Sequence, residues 1–458
     1  MIRIDSPDLP DMLVSLPVTL STRTEEELFS LSDPSPAAII TVKEDPWGPI
    51  GFLAIDTLVC GKCSGGTRMT PDITEQEVIH LARAMTLKFA FKNSAIGGAK
   101  SGILLPPGAG EREKKEILEV FGRQLGPVMK ALYGAGGDIG VGSREVKIIK
   151  KAAGIDARER PADKKAGFCT ALGVFLSART LAQKRGMRPE DCRVAIEGYG
   201  KVGRPLVRLF QQAGFKTVAL STIHGGIHNP MGLDADVLEK AADEHGDYLV
   251  QQLADADKIE STSLFTVDAD MVIPGARPWT IREDNADQLK AAMIVTAANI
   301  PVTRGAARIL HEKGIPYIPD FVSTGGGIMG CSLMNQGFSL EDVIKVMDST
   351  FTTKITRLLD LAGERKISVE DMAVQIARNN FVRLRDLHAA KNKRVRYFFL
   401  KLRQDKSLLP MVGRAAQSVY QRNNGKIKFL GKMLRSTAVS HAIRNATWDV
   451  RHYPETNA

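Results

Sequence analysis

The chain has no long hydrophobic run, since none reaches the roughly 18 residues that a membrane-spanning helix needs. Its first residues, MIRIDSPDLPDMLV, carry acids and prolines, whereas a secretory signal needs a basic start and an apolar stretch. Cysteine is also scarce, with 5 in 458 residues, and an odd, scattered set is untypical of a disulfide framework. We therefore exclude a membrane-spanning protein and a disulfide-rich secreted scaffold, and we expect a cytoplasmic protein.

Residues spaced as metal ligands are equally sparse. Cys60 and Cys63 form one C-x-x-C pair, but Cys169, Cys192 and Cys331 are scattered and no histidine stands at ligand spacing. We expect no metal site, and the sequence leaves open whether the C-x-x-C pair has any role.

The composition is that of an ordinary globular protein, with 43% hydrophobic and 25% charged residues, which suits two or three domains. A net charge of +10 is typical of nucleic-acid-binding proteins, but here the positive charge is concentrated at one end of the chain. From Ala390 to the end there are 15 Lys and Arg against 3 Asp and Glu, so the tail carries +12 and the rest of the chain −2. The body is therefore slightly acidic, as in many enzymes.

The basic residues of the tail alternate with apolar ones such as Tyr397, Phe398 and Leu400. One interpretation is a helical extension that packs on the body or forms an oligomer contact. The other is a surface that contacts an anionic partner, such as RNA, DNA or a membrane. The sequence does not decide between them.

The stretch Arg193 to Gly203, RVAIEGYGKVG, predicts a strand, a tight turn and a helix. Its glycines have the G-x-G-x-x-G spacing of a dinucleotide-binding fingerprint: Gly198 makes the turn, Gly200 lets the backbone approach a pyrophosphate, and Gly203 lets the helix pack closely. We predict cofactor binding by Gly198, Gly200, Lys201, Val202 and Gly203. The alternative is a glycine-rich turn in some other parallel sheet.

Strands are predicted near Arg193, Lys216, Ala269, Met293 and Pro316, alternating with helices, which is typical of a doubly wound parallel sheet. A helix from Thr170 to Lys184 precedes this domain, and two more, about 340–361 and 369–387, follow it. The fold class is therefore α/β, with predicted domains at 1–165, 166–335, 336–389 and 390–458. The last of these is the basic, helical extension.

The first domain begins with an antiparallel pair of extended segments between about Ala37 and Val59. Thr74 and Glu77 form a capping box, which predicts a helix from Glu75 to Phe91. A second helix is predicted at about 111–125.

Glycines surround Lys100 in GGAKSG and Asp138 in GGDIG. A lysine in a glycine-lined, partly desolvated turn near another cation can have a pKa low enough for proton transfer near neutral pH. Lys88 stands near the end of the first predicted helix, where the plain alternative is a cation that complements the helix dipole. For Asp138 the alternative is an Asx turn. We interpret Lys92 as a surface lysine.

Three short stretches together resemble the glutamate/leucine/phenylalanine/valine dehydrogenase family: CSGGTRM (63–69), MTLKFAFKNSAIGGAK (85–100) and GGDIGVGSRE (136–145). The resemblance continues through GYGKVG, IVTAANIPVT (294–303) and YIPDFVSTGGGI (317–328) to about Leu387. It implies a substrate-binding α/β domain, a Rossmann-type nucleotide-binding domain and a homo-oligomer. The implied activity is NAD- or NADP-dependent oxidative deamination of an L-amino acid to a 2-oxo acid and ammonia.

The resemblance also implies roles for individual residues. Lys100 is expected to be the catalytic lysine, Asp138 the catalytic aspartate, and Lys88 the lysine that holds the substrate α-carboxylate. The resemblance further implies that Gly65 and Gly66 line the substrate, that Thr170 meets the nicotinamide amide and that Asn299 contacts the cofactor near its ribose.

The sequence departs from the family at three places. Ser64 stands where glutamate dehydrogenases have a lysine that pairs with the side-chain carboxylate, which argues against glutamate as substrate. Cys331 falls near a pocket position that is often Ser or Ala in relatives. Thr222 stands where an acid normally binds the ribose 2′-OH; this permits NADP without demanding it, and His224 is the nearest candidate cation.

These observations predict an amino-acid dehydrogenase that does not prefer glutamate. Glutamate dehydrogenase is the alternative within this class. The alternative from another class is a catalytically reduced family member that acts as a binding or regulatory protein through its basic tail. The presence of Lys88, Lys100 and Asp138 together favours the enzyme.

Overall fold

The structure, a computed structural model, describes residues 36–389 apart from 46, 60, 159 and 160, together with residues 3, 4, 29 and 34. The basic tail and Cys60 lie outside these residues, so the predictions for them remain predictions. The described chain divides into two compact units. Unit 1 takes in residues up to Asp163 and those from Ala377 onward, and unit 2 runs Lys164–Ile376.

Unit 1 is built on a mixed sheet with the strand order β1-β2-β3-β5-β4-β6. Strands β4, β5 and β6 are parallel to one another, while β3 is antiparallel to both β2 and β5. Its strands are β1 Arg3–Ile4, β2 Ala38–Glu44, β3 Gly48–Ile55, β4 Cys63–Thr70, β5 Gly97–Leu104 and β6 Tyr133–Gly137, and its helices are α1 Glu75–Phe91, α2 Glu111–Ala131 and α3 Ser143–Ala152.

Alternation along the strands of unit 1 supplies a core on each face of the sheet, because successive side chains of a strand point to opposite faces. Ile39 and Ala54 pack with Val78 and Ala82 of α1. Ile40 and Leu53, the neighbouring residues of the same strands, belong to a second cluster with Phe121 of α2 and Ile149 of α3. The sheet therefore lies between α1 on one face and α2 with α3 on the other.

Unit 2 contains a sheet with the strand order β10-β9-β8-β7-β11-β12-β13, in which β8, β7, β11, β12 and β13 are parallel. The antiparallel strands β9 and β10 extend one edge. The strands are β7 Arg193–Glu197, β8 Lys216–Thr222, β9 Gly225–His228, β10 Asp257–Ile259, β11 Met271–Ile273, β12 Met293–Val295 and β13 Tyr317–Ile318.

The order of the parallel strands reverses between β7 and β11, because the chain first adds β8 on one side of β7 and then β11 on the other. This is the topological switch point of a doubly wound fold, where a crevice opens at the carboxyl ends of the strands.

Nine helices are described from Pro161 onward. Helix α4 begins in unit 1 and α12 ends in it, while the others belong to unit 2. Their ranges are α4 Pro161–Lys184, α5 Gly203–Gln212, α6 Ala235–His245, α7 Leu249–Gln252, α8 Arg304–Glu312, α9 Asp320–Ser323, α10 Gly326–Met334, α11 Leu340–Arg365 and α12 Val369–Ala389.

The α/β fold class, the doubly wound sheet and the helix Glu75–Phe91 are confirmed. Half of the predicted capping box is confirmed: the Thr74 hydroxyl accepts from the Glu77 N–H, whereas the Glu77 carboxylate accepts from Arg68. Two helix boundaries were wrong. The second helix extends to Ala131, and α4 begins at Pro161.

The predicted turn around Lys100 was also wrong, because Lys100 lies within strand β5. The glycines that precede it allow close packing: a Cβ on Gly97 would lie 2.0 Å from the Thr57 carbonyl oxygen, and one on Gly98 would lie 2.1 Å from the Thr86 nitrogen. They are small because β5 passes directly against α1 and the end of β3.

No helix of the described residues combines the length and the apolar character needed to cross a membrane.

Candidate active site

Strand β4 lies between β5, which carries Lys100, and β6, which Asp138 follows directly. The side chains of Lys100 and Asp138 meet across β4. The Lys100 Nζ lies 2.7 Å from Asp138 Oδ2. Arg68 of β4 donates from Nε to the same oxygen over 3.1 Å, and its Nη1 donates to Glu77 of α1 over 2.6 Å. The Lys100 and Arg68 side chains are each 3% exposed and that of Asp138 is 18% exposed, so the cluster is largely shielded but open at the carboxylate.

The charges of this cluster keep Asp138 ionised. Burial by itself raises the pKa of the Asp138 carboxyl, but the neighbouring Lys100 and Arg68 outweigh it and hold that pKa well below its usual range. At neutral pH the site therefore presents a carboxylate held between two cations. Sequence reasoning missed Arg68 and Glu77 as parts of this cluster, although Arg68 belongs to the CSGGTRM motif.

Gly65 and Gly66 have a clear structural reason to be glycine. A Cβ on Gly65 would lie 1.6 Å from the Ala99 carbonyl oxygen, and one on Gly66 would lie 3.1 Å from the Asp138 Cβ. The Tyr133 hydroxyl donates to the Gly65 carbonyl over 3.2 Å. The backbone of β4 is therefore held close to both strands that carry the charged pair.

Ser64 precedes these glycines and donates from Oγ to the Gly134 carbonyl of β6 over 2.8 Å. Buried hydroxyls from β4, β5 and β6 contact one another as well: Ser101 donates to the Thr67 hydroxyl over 2.9 Å and lies 3.0 Å from the Tyr133 hydroxyl. Burial raises the pKa of Tyr133 well above its usual range, so these hydroxyls form a neutral, structural network. The sequence carried no local signal for it, since its members come from three strands.

Helix α1 contains more buried charge than its sequence suggested. Lys88 is 6% exposed and Arg83 is 2% exposed. The interpretation of Lys92 as a surface lysine is wrong, because Lys92 is fully buried at the end of α1. Every residue from Val78 to Phe91 except His80 is buried, so the helix has no solvent face there on which a lysine could lie.

The buried Arg83 is held by a bidentate ion pair with Asp56, which follows β3. The Arg83 Nε lies 3.0 Å from Asp56 Oδ2, and its Nη2 lies 3.0 Å from Oδ1. Parallel N–H to oxygen bonds of this kind fix geometry as well as adding energy. The pair ties α1, which also carries Lys88, to the sheet.

In unit 2, the three fingerprint glycines occupy the positions that a pyrophosphate cradle requires. Gly198 has φ +91°, which is a conformation that side chains disfavour. A Cβ on Gly203 would lie 2.1 Å from the Gly198 carbonyl oxygen, whereas a Cβ on Gly200 would meet nothing within 4 Å. Space therefore remains beside Gly200, three residues before α5 begins at Gly203. These residues fit a dinucleotide pyrophosphate at the N-terminus of α5.

The end of β8 is occupied by Thr222, whose hydroxyl serves the local turn. It donates to the Asp247 carbonyl over 2.7 Å and accepts from the His224 N–H over 3.2 Å. The His224 ring is stacked on Tyr248, with ring centroids 3.6 Å apart and planes 13° apart. No carboxylate stands at position 222 itself to repel a 2′-phosphate.

The other predicted site residues of unit 2 lie on separate elements. The Thr170 hydroxyl donates to the Ala166 carbonyl over 2.8 Å within α4. Asn299, after β12, donates from Nδ2 to Asp320 over 3.4 Å. Cys331 is half-buried on α10, whereas the other predicted substrate residues (Ser64, Gly65, Gly66 and Lys88) belong to unit 1.

Among the described residues, no group of three or more His, Cys, Asp and Glu is arranged to hold a metal ion. A cavity of about 450 Å³ in unit 2 is lined by parts of α4, α8, α11 and α12 and contains none of the predicted site residues.

Two protein-family descriptions match the chain. Residues 165–394 match "Glutamate/Leucine/Phenylalanine/Valine dehydrogenase", and residues 50–154 match "Glu/Leu/Phe/Val dehydrogenase, dimerisation domain". An NAD-specific glutamate dehydrogenase of Staphylococcus aureus is 30% identical over 347 residues, which cover 70% of this chain and 81% of the relative.

Solved structures share the fold. The leucine-bound hetero-hexameric glutamate dehydrogenase of Thermus thermophilus superposes with a TM-score of 0.65 at 23% identity, covering 84% of this chain and 98% of that one. The L-tryptophan dehydrogenase of Nostoc punctiforme gives a TM-score of 0.53 at 23% identity, covering 76% and 96%. At these identities the likeness concerns the fold.

Proposed function

Because the chain belongs to the glutamate/leucine/phenylalanine/valine dehydrogenase family, we propose that it oxidatively deaminates an L-amino acid to the 2-oxo acid and ammonia, using NAD or NADP. The observation that carries this proposal is the Lys100 to Asp138 contact of 2.7 Å within unit 1, in a chain whose unit 2 has the geometry of a pyrophosphate cradle. A screen of L-amino acids against NAD and NADP, followed by absorbance at 340 nm, tests it.

In the proposed reaction, the substrate Cα–H bond breaks and the amino acid becomes an imino acid, to which water adds before ammonia leaves. When bound, the nicotinamide supplies the hydride acceptor at C4. The residues of the fingerprint (Gly198, Gly200, Lys201, Val202 and Gly203) would hold its pyrophosphate, with Thr170, Thr222 and Asn299 contacting other parts of the cofactor.

Lys88 is assigned to the substrate α-carboxylate, and Lys100 with Asp138 to proton transfer at the amino group and the attacking water. A carboxylate with so low a pKa is a weak base. Asp138 is therefore better suited to attract the substrate ammonium than to retain its proton. Lys100, which contacts the same oxygen as a cation, is placed to donate a proton, as the departure of ammonia requires.

For the substrate we propose a neutral L-amino acid. The support is Ser64, which provides no charge for a side-chain carboxylate and whose hydroxyl already donates to Gly134. The relative from Staphylococcus aureus is named a glutamate dehydrogenase, so glutamate is the competing candidate.

The Ser64 hypothesis predicts a lower kcat/KM for glutamate than for at least one neutral amino acid, because an unpaired carboxylate is costly to bury. Ser64→Lys is expected to shift kcat/KM toward glutamate. Ser64→Ala is the matched control, since it removes the bond to Gly134 without adding charge. A wild-type enzyme that prefers glutamate to every neutral amino acid contradicts the hypothesis.

For the cofactor, the proposal includes both NAD and NADP. The name of the relative supports NAD, and the uncharged Thr222 at the end of β8 leaves NADP acceptable. We also infer a homo-oligomer, supported by the dimerisation-domain description that residues 50–154 match.

The basic tail is proposed to act outside the chemistry. A chain that ends at Ala390 is expected to keep its turnover per folded protomer but to lose retention on heparin, because +12 of charge lies beyond that point. Binding to phosphates through this tail should weaken steeply with salt. Loss of turnover in a folded, cofactor-binding truncated protein would instead place the tail at the active site.

A further inference from the structure

Glu197 lies at the topological switch point of unit 2, as the last residue of β7 and immediately before the fingerprint glycine Gly198. Its carboxylate oxygen Oε2 accepts from the backbone N–H groups of Gly275, over 3.1 Å, and Ala276, over 3.2 Å. These residues follow β11, the strand on the other side of the crevice. We name this contact the Glu197 bridge.

The segments that the Glu197 bridge joins are in close contact. A Cβ on Gly275 would lie 2.5 Å from the Glu197 carbonyl oxygen, and one on Gly198 would lie 3.3 Å from the Gly275 carbonyl oxygen. The Gly198 turn therefore rests directly against the loop that the carboxylate holds. A displacement of that loop would be transmitted to the turn, because packed backbone has no spare volume to absorb it.

We propose that Glu197 is a positioning residue for the dinucleotide: its carboxylate fixes the loop after β11 against the fingerprint turn and thereby sets the affinity for NAD(P)H. This inference rests on the cofactor-binding part of the proposed function and is independent of the amino-acid chemistry in unit 1. Hydrogen bonds to an ionised acceptor are stronger than those to a neutral one. The ionised carboxylate consequently holds the loop more firmly than the protonated acid.

The charge of Glu197 changes near neutral pH. Burial raises the pKa of its carboxyl to about 7, against the opposing effects of the Ala276 and Gly275 N–H groups, the Thr280 hydroxyl and the charge of Arg277. Arg277 is thus the charged group of the described residues that acts on it most directly. The Glu197 carboxyl therefore changes from protonated to ionised as the pH rises through about 7.

Affinity and stability should respond to this ionisation in opposite directions. Affinity for the cofactor rises with pH because the ionised acceptor binds the loop better. Stability falls, because a carboxyl whose folded-state pKa is raised from 4.5 to about 7 binds its proton more tightly in the folded protein. The contribution of Glu197 to stability is thus fully present below pH 4.5 and is lost as the pH rises through about 7.

The test is a direct titration of the full chain with NADH and with NADPH, followed by nicotinamide fluorescence without amino acid, from pH 5.5 to 8.5. Wild type is expected to bind several-fold more tightly at pH 8 than at pH 6. Glu197→Gln keeps an acceptor oxygen of the same reach but does not titrate, so its affinity should show no step near pH 7. Glu197→Asp keeps the charge but is one methylene too short, and its affinity should fall about tenfold at pH 8.

Thermal melting of the same proteins supplies a second readout. Wild type should lose Tm relative to Glu197→Gln between pH 5.5 and 8, and Glu197→Gln should bind cofactor as a folded protein throughout. A Glu197→Asp variant with wild-type affinity, or a Glu197→Gln variant with an unchanged pH step, overturns the proposal. If Glu197→Asp does not fold, the comparison of wild type with Glu197→Gln decides alone.

Failure of the proposed function has a different signature in this experiment. A folded wild type that binds neither NADH nor NADPH at any pH would refute cofactor use itself. Normal binding without turnover of any amino acid would refute the reaction and leave the Glu197 inference intact.

Discussion

Lys100→Ala and Asp138→Asn are each expected to lower kcat by at least about a hundredfold, which is the usual effect of removing a positioned proton-transfer group. The two groups share one contact of 2.7 Å, and each replacement removes one of the two charges from it. Lys88→Ala should act largely through KM for the amino acid, since Lys88 is assigned to binding. Steady-state kinetics over a range of amino-acid concentrations separates the two effects.

Folding must be monitored in these variants, because Asp138→Asn leaves Lys100 and Arg68 beside a neutral amide in a largely buried site. Far-UV circular dichroism and NADH binding provide the control, since the fingerprint belongs to unit 2. Turnover near that of wild type in folded Asp138→Asn would remove Asp138 from the mechanism.

Asp56→Ala is expected to lower the free energy of unfolding by about 3–5 kcal/mol, because it leaves the Arg83 guanidinium buried without its bidentate carboxylate. The Arg83 and Asp56 side chains are 2% and 1% exposed, so water cannot replace the lost partner without a rearrangement. Urea denaturation of the full chain, followed by circular dichroism, measures the shift in the unfolding midpoint.

Glu116→Ala is the matched control for this pair. Glu116 pairs with Arg112 over 3.1 Å on α2, but the two side chains are 45% and 94% exposed, and exposed pairs contribute about 0–1 kcal/mol. Replacing both Asp56 and Arg83 by apolar residues should recover part of the stability, because no unpaired charge is then buried. Equal midpoints for Asp56→Ala and Glu116→Ala would contradict the prediction.

The Asp56 variant also links stability to the site. Helix α1 carries Lys88 five residues after Arg83, and the ion pair ties that part of the helix to the end of β3. In conditions where Asp56→Ala remains folded, KM for the amino acid is expected to rise more than kcat falls.

Local signals were sufficient for several elements. Thr74 as N-cap and the apolar spacing after it predicted α1 from Glu75 to Phe91, which the structure has. The strand that begins at Arg193 was predicted from a short apolar run before the fingerprint glycines, and the strand that begins at Lys216 from the position at which a βαβ unit requires its second strand. Caps, turns and the periodic spacing of apolar side chains are properties of a few neighbouring residues, so they can be recognised without the rest of the chain.

The glycine-rich strands were not predictable in the same way. Strands β4, β5 and β6 have the sequences CSGGTRMT, GGAKSGIL and YGAGG, in which glycine lowers the strand propensity and obscures the alternation of side chains. They form strands because each pairs with a neighbour in the sheet, and Gly98 allows α1 to lie against β5. The antiparallel edge strands β9 and β10 were missed as well, and they too depend on their partners.

The sequence by itself determined the chemical groups of this protein: a fingerprint for a dinucleotide, two glycine-surrounded residues of opposite charge, and a family resemblance that the comparisons confirm. Only the tertiary structure decided how they are arranged. Lys100 on β5 and Asp138 after β6 are separated along the chain but meet across β4, whose Arg68 contacts the same carboxylate. The burial of Lys92 and the bridge from Glu197 to the loop after β11 likewise depend on long-range packing, which no local sequence pattern predicts.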